Sequence, residues 1–200
     1  MKLFEIFTNK HHRQLLSELT KREIAQRYKQ SILGYFWVIL NPLAQMFVMS
    51  FVFSKLFNIV GLGVPYSIFL FAGLLPWTLF AGSLSSAANA LVGNAGLLSK
   101  IYFPREILVA STILAKIVDY FLASLIVIFM MILFKVSVTW NILWFIPIFL
   151  IQNLFSYALG IILSAFNLFY RDIQYLLSLI LLIWMYLTPI VYSAETFPER

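Results

Sequence analysis

The stretch LFNIVGLGVPYSIFLFAGLLPWTLFAGSLSSAANALVGNAGLLS, residues 56–99, decides the fold class because none of its 44 residues carries a charge. Lys55 precedes the stretch and Lys100 follows it. A helix needs about 20 apolar residues to cross a bilayer, so the stretch is long enough for two crossings. It therefore predicts a chain that lies in a membrane.

The composition of the whole chain indicates the same class. Hydrophobic residues make up 62% of its 200 residues and charged residues 11%, whereas an average soluble domain is about 45–50% apolar. A soluble fold of this size could not bury so much apolar surface. Ten of the 22 charged residues lie in residues 1–30. We therefore predict an all-α polytopic membrane protein with a polar N-terminal segment, residues 1–32, and a membrane-embedded part, residues 33–200.

Residue types disfavour several classes of function. Cysteine is absent from the sequence, which excludes disulfides and thiol chemistry. His11 and His12 lie in the polar segment, and Asp119 is the acid nearest to membrane depth, so an intramembrane protease or zinc enzyme lacks the residues it needs. The sequence has no GxxxxGK[ST] loop, so ATP-driven work would need a partner. A net charge of +6 fits contact with anionic lipid better than with nucleic acid.

The N-terminal segment is polar but patterned. Apolar residues recur at roughly helical spacing between residues 15 and 28, and basic residues lie between them. The pattern predicts an amphipathic helix. We favour a helix that lies in the membrane interface with its basic face toward lipid headgroups. A solvated cytosolic helix with some core contacts is the alternative.

Five apolar segments follow, and we predict that each crosses the membrane. Eleven Lys and Arg residues then fall on the inner side and three on the outer side, which places the N-terminus in the cytosol. Pro104 and Glu106 suit the start of the third helix. Small residues at 81–90 predict close packing of the second span against another helix or a second subunit. The predicted spans cover about residues 33–53, 66–92, 107–134, 142–169 and 174–192.

The cytosolic loop between the second and third spans, residues 94–106, is the best candidate for docking of a partner. Exposed Ile101, Tyr102 and Phe103 beside basic residues would form an anchor for a groove on another protein. A re-entrant turn buried among lipid headgroups is an equally good interpretation. The candidate docking residues are Leu97, Lys100, Ile101, Tyr102, Phe103, Pro104, Arg105 and Glu106.

Charged and aromatic residues of the spans give two further sets of candidates. Lys116 and Asp119 are one helical turn apart and can pair at the cytosolic interface. We favour a static pair over a gate contact that breaks when helices move, and Arg171 with Asp172 is a second candidate pair. Aromatic residues near the span ends are favoured as interfacial anchors, and the alternative is a channel lining that stacks on sugar rings. These aromatic candidates are Tyr35, Phe36, Trp37, Trp184 and Tyr186.

Five motifs, in the same order, resemble the permeases of type-2 ATP-binding-cassette (ABC) exporters. The similarity is to the polysaccharide branch, which exports O-antigen, capsule and teichoic acid, and it extends from about residue 15 to the end of the chain. The motifs are Arg22 to Gly34 with Trp37 and Asn41-Pro42-Leu43; Pro65-Tyr66 with Phe69 to Trp77; Lys100 to Glu106; Tyr170-Arg171-Asp172-Ile173; and Leu187 to Tyr192.

The resemblance implies a homodimer of permeases in the cytoplasmic (inner) membrane of a bacterium or archaeon. Two ATPase subunits would carry ATP and Mg²⁺, this chain would hold no cofactor, and residues 94–106 would couple it to the ATPase. A lipid-linked polysaccharide would move between the two copies. The interfacial helix would receive the substrate's head through Arg22, Arg27, Tyr28 and Lys29. Such permeases usually have six membrane helices, so we expect a C-terminal part to be missing.

Two other functions stay open at this point. A permease of the same superfamily could export a drug or a lipid instead of a polysaccharide. A non-transporting membrane scaffold that binds a cytosolic protein would show the same loop, but nucleotide would have no effect on its complex.

Overall fold

The structure, a computed structural model, describes residues 10–29, 31–53, 65–100, 102–137 and 139–192, without the side chain of Tyr28. Within these ranges the chain is helical and has no strand, which confirms the predicted all-α class. A 3₁₀ helix, Trp140–Trp144, precedes the sixth α-helix. The α-helices are α1 (Lys10–Tyr28), α2 (Phe36–Phe51), α3 (Tyr66–Gly93), α4 (Ala95–Leu98), α5 (Glu106–Leu133), α6 (Phe145–Phe169) and α7 (Ile173–Leu187).

Three of the described helices are long and apolar enough to cross a membrane: α3, α5, and α6 together with the 3₁₀ helix before it. Helices α2 and α7 are apolar but have only 16 and 15 residues, or about 24 and 22 Å at the usual rise per residue. The predicted first span, 33–53, begins earlier than α2. The chain turns there at Gly34, whose φ of +48° is a left-handed conformation that suits glycine. The predicted fifth span, 174–192, continues beyond the end of α7.

Prolines mark the starts of two long helices. Pro65 is the N-cap residue of α3, with φ −55° and ψ 132°. The carbonyl oxygen of Pro104 accepts a hydrogen bond from the N–H of Ile107 at 3.2 Å, which opens the first turn of α5. Glu106 supplies the acidic residue of that turn, where the helix dipole favours a negative charge. The local sequence therefore fixes where the predicted docking loop, residues 94–106, ends.

Helix α3 lies at the centre of the bundle and packs against both α5 and α6. The helices approach closely at Gly160 of α6, where an added Cβ atom would lie 2.8 Å from Cβ of Ala87 and 3.2 Å from Cγ1 of Val109. Small side chains permit such an approach. The small-residue stretch 81–90 thus packs against a helix of the same chain.

Two side-chain amides also join α6 to α3. Gln152 donates its Nε2 to the carbonyl oxygen of Pro76 at 2.7 Å, and Asn167 donates its Nδ2 to the carbonyl oxygen of Ala88 at 2.9 Å. Asn167 is buried, with 2% of its surface exposed. Hydrogen bonds of this kind hold helices together in lipid, because an apolar side chain gains little by contacting another helix instead of lipid tails.

We expect Gly160→Ala to lower the melting temperature of the purified protein in detergent. Its methyl group requires α3 and α6 to move apart, and overpacking of this kind costs about 1–3 kcal/mol. Gly93→Ala is the matched control, because nothing lies within 4 Å of the carbon added there. Equal melting temperatures of the two variants would contradict the close approach at Gly160.

Candidate functional site

The predicted docking loop, residues 94–106, lies beside α1 at one end of the bundle. Leu16 and Leu19 of α1 are buried in one apolar cluster with Leu91 of α3 and Ile107 of α5. Each fully buried leucine side chain contributes roughly 1.5–3 kcal/mol. At these positions the apolar side of the predicted amphipathic helix is covered by the bundle itself.

A polar contact ties α1 to the start of the docking loop. Arg22 donates its Nη2 to Oδ1 of Asn94 at 3.0 Å, and Asn94 donates its Nδ2 to the carbonyl oxygen of Ala90 at 2.9 Å. The backbone oxygen of Asn94 accepts hydrogen bonds from two N–H groups of α4, at 2.9 and 3.1 Å. Asn94 therefore connects α1, α3 and α4. Asn94 was not among the candidate docking residues, although its turn sequence Gly-Asn-Ala-Gly was the available signal.

An ion pair joins the C-terminal end of α1 to α5. Arg27 donates its Nη1 to Oδ2 of Asp119 at 2.7 Å, and Nζ of Lys116 lies 3.9 Å from the same oxygen. The side chains of Arg27, Asp119 and Lys116 are 21%, 16% and 27% exposed. The predicted pair of Lys116 and Asp119 is present, but Arg27 makes the shorter contact. Arg27, predicted as a headgroup ligand, thus directs one of its nitrogens to a carboxylate within the protein.

The docking loop exposes one of its aromatic residues and packs another. Tyr102 is fully exposed, whereas Phe103 is partly buried against the apolar cluster that holds Leu16 and Leu19. The prediction that both rings are exposed is therefore wrong for Phe103, because the loop folds back over the bundle. Leu97 packs against the same cluster. Of the other candidates, Lys100 and Arg105 are exposed, Pro104 and Glu106 are partly buried, and Ile101 lies outside the described residues.

A cleft of about 270 Å³ opens beside the docking loop. Arg105 and Glu106 line one side, and Leu168 and Phe169 at the end of α6 line the other. Phe169 is 80% exposed. An apolar recess flanked by charges is suited to holding a side chain of a partner protein.

The remaining candidates are dispersed over the structure. Arg171 and Asp172 are exposed in the turn between α6 and α7, and neither takes part in an ion pair with another described residue. Lys29 is exposed at the end of α1. Within the described chain, no group of three or more His, Cys, Asp or Glu residues could hold a metal ion.

The predicted channel aromatics do not lie together in the structure. Trp37 lines a cavity between α2, α3 and α5. Trp184 of α7 lines another cavity, and its ring lies edge-on to Trp77 and Phe80, with centroid distances of 6.3 and 5.4 Å. Tyr35, Phe36 and Tyr186 are each more than half exposed.

Removing the ion pair between α1 and α5 should destabilise the fold. We expect Arg27→Met to lower the free energy of unfolding in detergent by about 1.5–3 kcal/mol, the usual range for a hydrogen bond to a charged group. Lys21→Met is the control on the same helix, because its pair with Glu18 is about 70% exposed and should contribute at most about 1 kcal/mol.

A double-mutant cycle isolates the pair from other effects of the substitutions. The losses in Arg27→Met and Asp119→Asn should not add in the double variant, since both remove the same contact. Fully additive losses would show that the two side chains do not interact in the folded protein.

Comparison with known proteins places the chain among transporters. The sequence profile described as "ABC-2 type transporter" matches residues 14–200. An O-antigen export system permease protein RfbA of Klebsiella pneumoniae is 32% identical over 188 residues, which are 93% of this chain and 71% of that protein. The protein of the same name from Myxococcus xanthus is also 32% identical, over 94% of this chain and 72% of its own length. A polysialic acid transport protein KpsM of Escherichia coli is 22% identical over 90% of this chain and 70% of its length.

Proposed function

The chain belongs to the ABC-2 type transporter family, and we propose that it is the membrane-spanning permease subunit of an ATP-driven exporter of lipid-linked polysaccharide. One observation carries the proposal: relatives named for O-antigen export and for polysialic acid transport match the chain along nine-tenths or more of its length. The substrate class we infer is O-antigen, capsule or teichoic acid. Because the family consists of transporter components, we infer that the chain is not itself an enzyme.

We place the chain in the cytoplasmic membrane of a bacterium or archaeon, with its N-terminus in the cytosol. The excess of Lys and Arg in residues 1–30 and in the docking loop supports this orientation. ATP and Mg²⁺ would bind to a separate ATPase subunit on the cytosolic side. Two copies of the permease would enclose the path of the polysaccharide, and the large exposed side chains of α5, α6 and α7 offer apolar surface for such contacts and for lipid.

The docking loop is the surface we assign to the ATPase. Tyr102 stands free of the bundle between exposed Lys100 and Arg105, and an aromatic ring flanked by basic groups is typical of the anchors that fill a pocket on a partner. Asn94 ties the base of the loop to α1 through Arg22. Movement imposed on the loop by an ATPase would therefore reach α1.

The substrate assignment is tested by deleting the gene in the source organism. Surface polysaccharide should be lost and its lipid-linked form should accumulate inside the cell, while sensitivity to drugs stays unchanged and the intact gene restores export. Unchanged surface polysaccharide with altered drug sensitivity would favour the drug or lipid permease. Recovery of the chain without an ATPase from gently solubilised membranes would favour the scaffold.

Tyr102→Ala should weaken binding of the ATPase without affecting the permease fold. Truncating an interface anchor costs on the order of 2 kcal/mol, which is about 30-fold in affinity. The ring of Tyr102 is fully exposed in the described part of the chain, so the fold should lose little with it. The measurement is the affinity of the purified permease for the ATPase, together with the permease melting temperature.

Two further variants separate docking from folding. Phe103→Ala should lower the melting temperature, because that ring packs against the bundle. Tyr175→Ala removes a tyrosine that is 72% exposed on α7 and should leave both quantities unchanged. If Tyr102→Ala binds the ATPase with wild-type affinity, the assignment of this loop to the ATPase is wrong.

A further inference from the structure

A cavity of about 210 Å³ lies between α2, α3 and α5, and no residue of the docking loop lines it. Trp37 and Asn41 of α2, Thr78 of α3, and Lys116 and Asp119 of α5 line it. The wall contributed by α2 is open to the surroundings, since Trp37 is 40% exposed and Asn41 is also exposed.

The ammonium group of Lys116 lies at this cavity and makes no hydrogen bond to a described residue. Its Nζ lies 3.9 Å from Oδ2 of Asp119, which is too far for a hydrogen bond, and Lys116 donates no hydrogen bond to another described residue. The stem of Lys116 lies against Gly82, where an added Cβ would be 3.4 Å from its Cδ and Cε atoms. An ammonium group has three N–H donors, and leaving a largely covered cation without acceptors is unfavourable.

The carboxylate that lines the cavity makes its short contact with a residue outside that lining. Arg27, which does not line the cavity, donates to Asp119 at 2.7 Å, while Nζ of Lys116 lies 3.9 Å from the same oxygen. Arg27 also has a buried Nη2 without a hydrogen-bond partner among the described residues. Within the part of the chain that the structure describes, the ammonium group of Lys116 therefore has no hydrogen-bond acceptor.

We propose that this cavity binds the phosphate group of a membrane lipid, with Lys116 as its cationic ligand. Phosphate oxygens are strong acceptors for an ammonium group, and lipid phosphates are the anions that a bilayer presents at its interface. The indole N–H of Trp37 and the amide of Asn41 can donate to further phosphate or ester oxygens. The lipid tails would leave past α2, where the wall is open.

A lipid phosphate could come from a resident phospholipid or from the carrier lipid of the polysaccharide. Only the second source rests on the proposed function. Binding to the purified permease requires neither the ATPase nor the polysaccharide, so a failure of this proposal and a failure of the proposed function give different results.

The test is native mass spectrometry of the detergent-purified permease, titrated in separate experiments with phosphatidylglycerol, a polyprenyl phosphate and, as a phosphate-free probe, diacylglycerol. We expect Lys116→Met to weaken binding of a phosphate lipid about tenfold or more and to leave binding of diacylglycerol unchanged. Lys21→Met removes an exposed lysine of α1 and should bind like the wild type.

Asn41→Leu provides a second variant, because this exposed position can be changed without removing a charge from the fold. It should weaken binding of the same lipid, by a smaller factor than Lys116→Met. If the variants lose binding of phosphatidylglycerol, the cavity is a phospholipid site. If they lose binding of polyprenyl phosphate alone, it is a carrier-lipid site. Wild-type binding of both phosphate lipids by Lys116→Met and Asn41→Leu, or equal loss of diacylglycerol binding, would overturn the proposal.

Discussion

The close approach of α3 and α6 is the constraint on which the rest of the structure depends. Lipid tails are as apolar as leucine side chains, so burial of apolar surface does little to hold membrane helices together. Packing and hydrogen bonds must do so, through Ala87 against Gly160 and through the amide of Asn167 of α6, which donates to a carbonyl oxygen of α3. Val109 brings α5 to the same crossing. The three helices thereby form the surface on which α1 and the docking loop pack.

On this support, α1 connects the docking loop to the membrane-embedded helices. Arg22 binds Asn94 at the base of the loop, and Arg27, five residues further along α1, binds Asp119 on α5. Both contacts are polar and directional, while the leucines between them and the start of α1 supply non-directional packing. A displacement of the loop must therefore carry α1 with it or break the contact at Asn94. Packed side chains and polar contacts of this kind are one means by which movement is coupled between two sites.

Local sequence predicted the features that depend on local physics. A long uncharged stretch in lipid must pair every backbone group, and a helix does so within one segment. The proline and the acid at the start of α5 act within one turn. Contacts between distant residues could not be predicted: 92 positions separate Arg27 from Asp119. Tyr102 and Phe103 are adjacent aromatic residues, and only the tertiary fold directs Phe103 inward. Gly160, similarly, resembles any other glycine in an apolar helix.

Asp119 links α1 to the cavity between α2, α3 and α5. Arg27 holds its carboxylate at 2.7 Å, while Nζ of Lys116 lies 3.9 Å from the same oxygen. Lys116 and Asp119 line the cavity, and Arg27 does not. If α1 moved away from α5, the carboxylate would lose its short contact and would be left facing Lys116. A salt bridge between these two groups would compete with an anion in the cavity for the ammonium group, and electrostatic competition of this kind is stronger in a low-dielectric site than in water. The contact of α1 with Asp119 therefore bears on whether Lys116 can bind an anion.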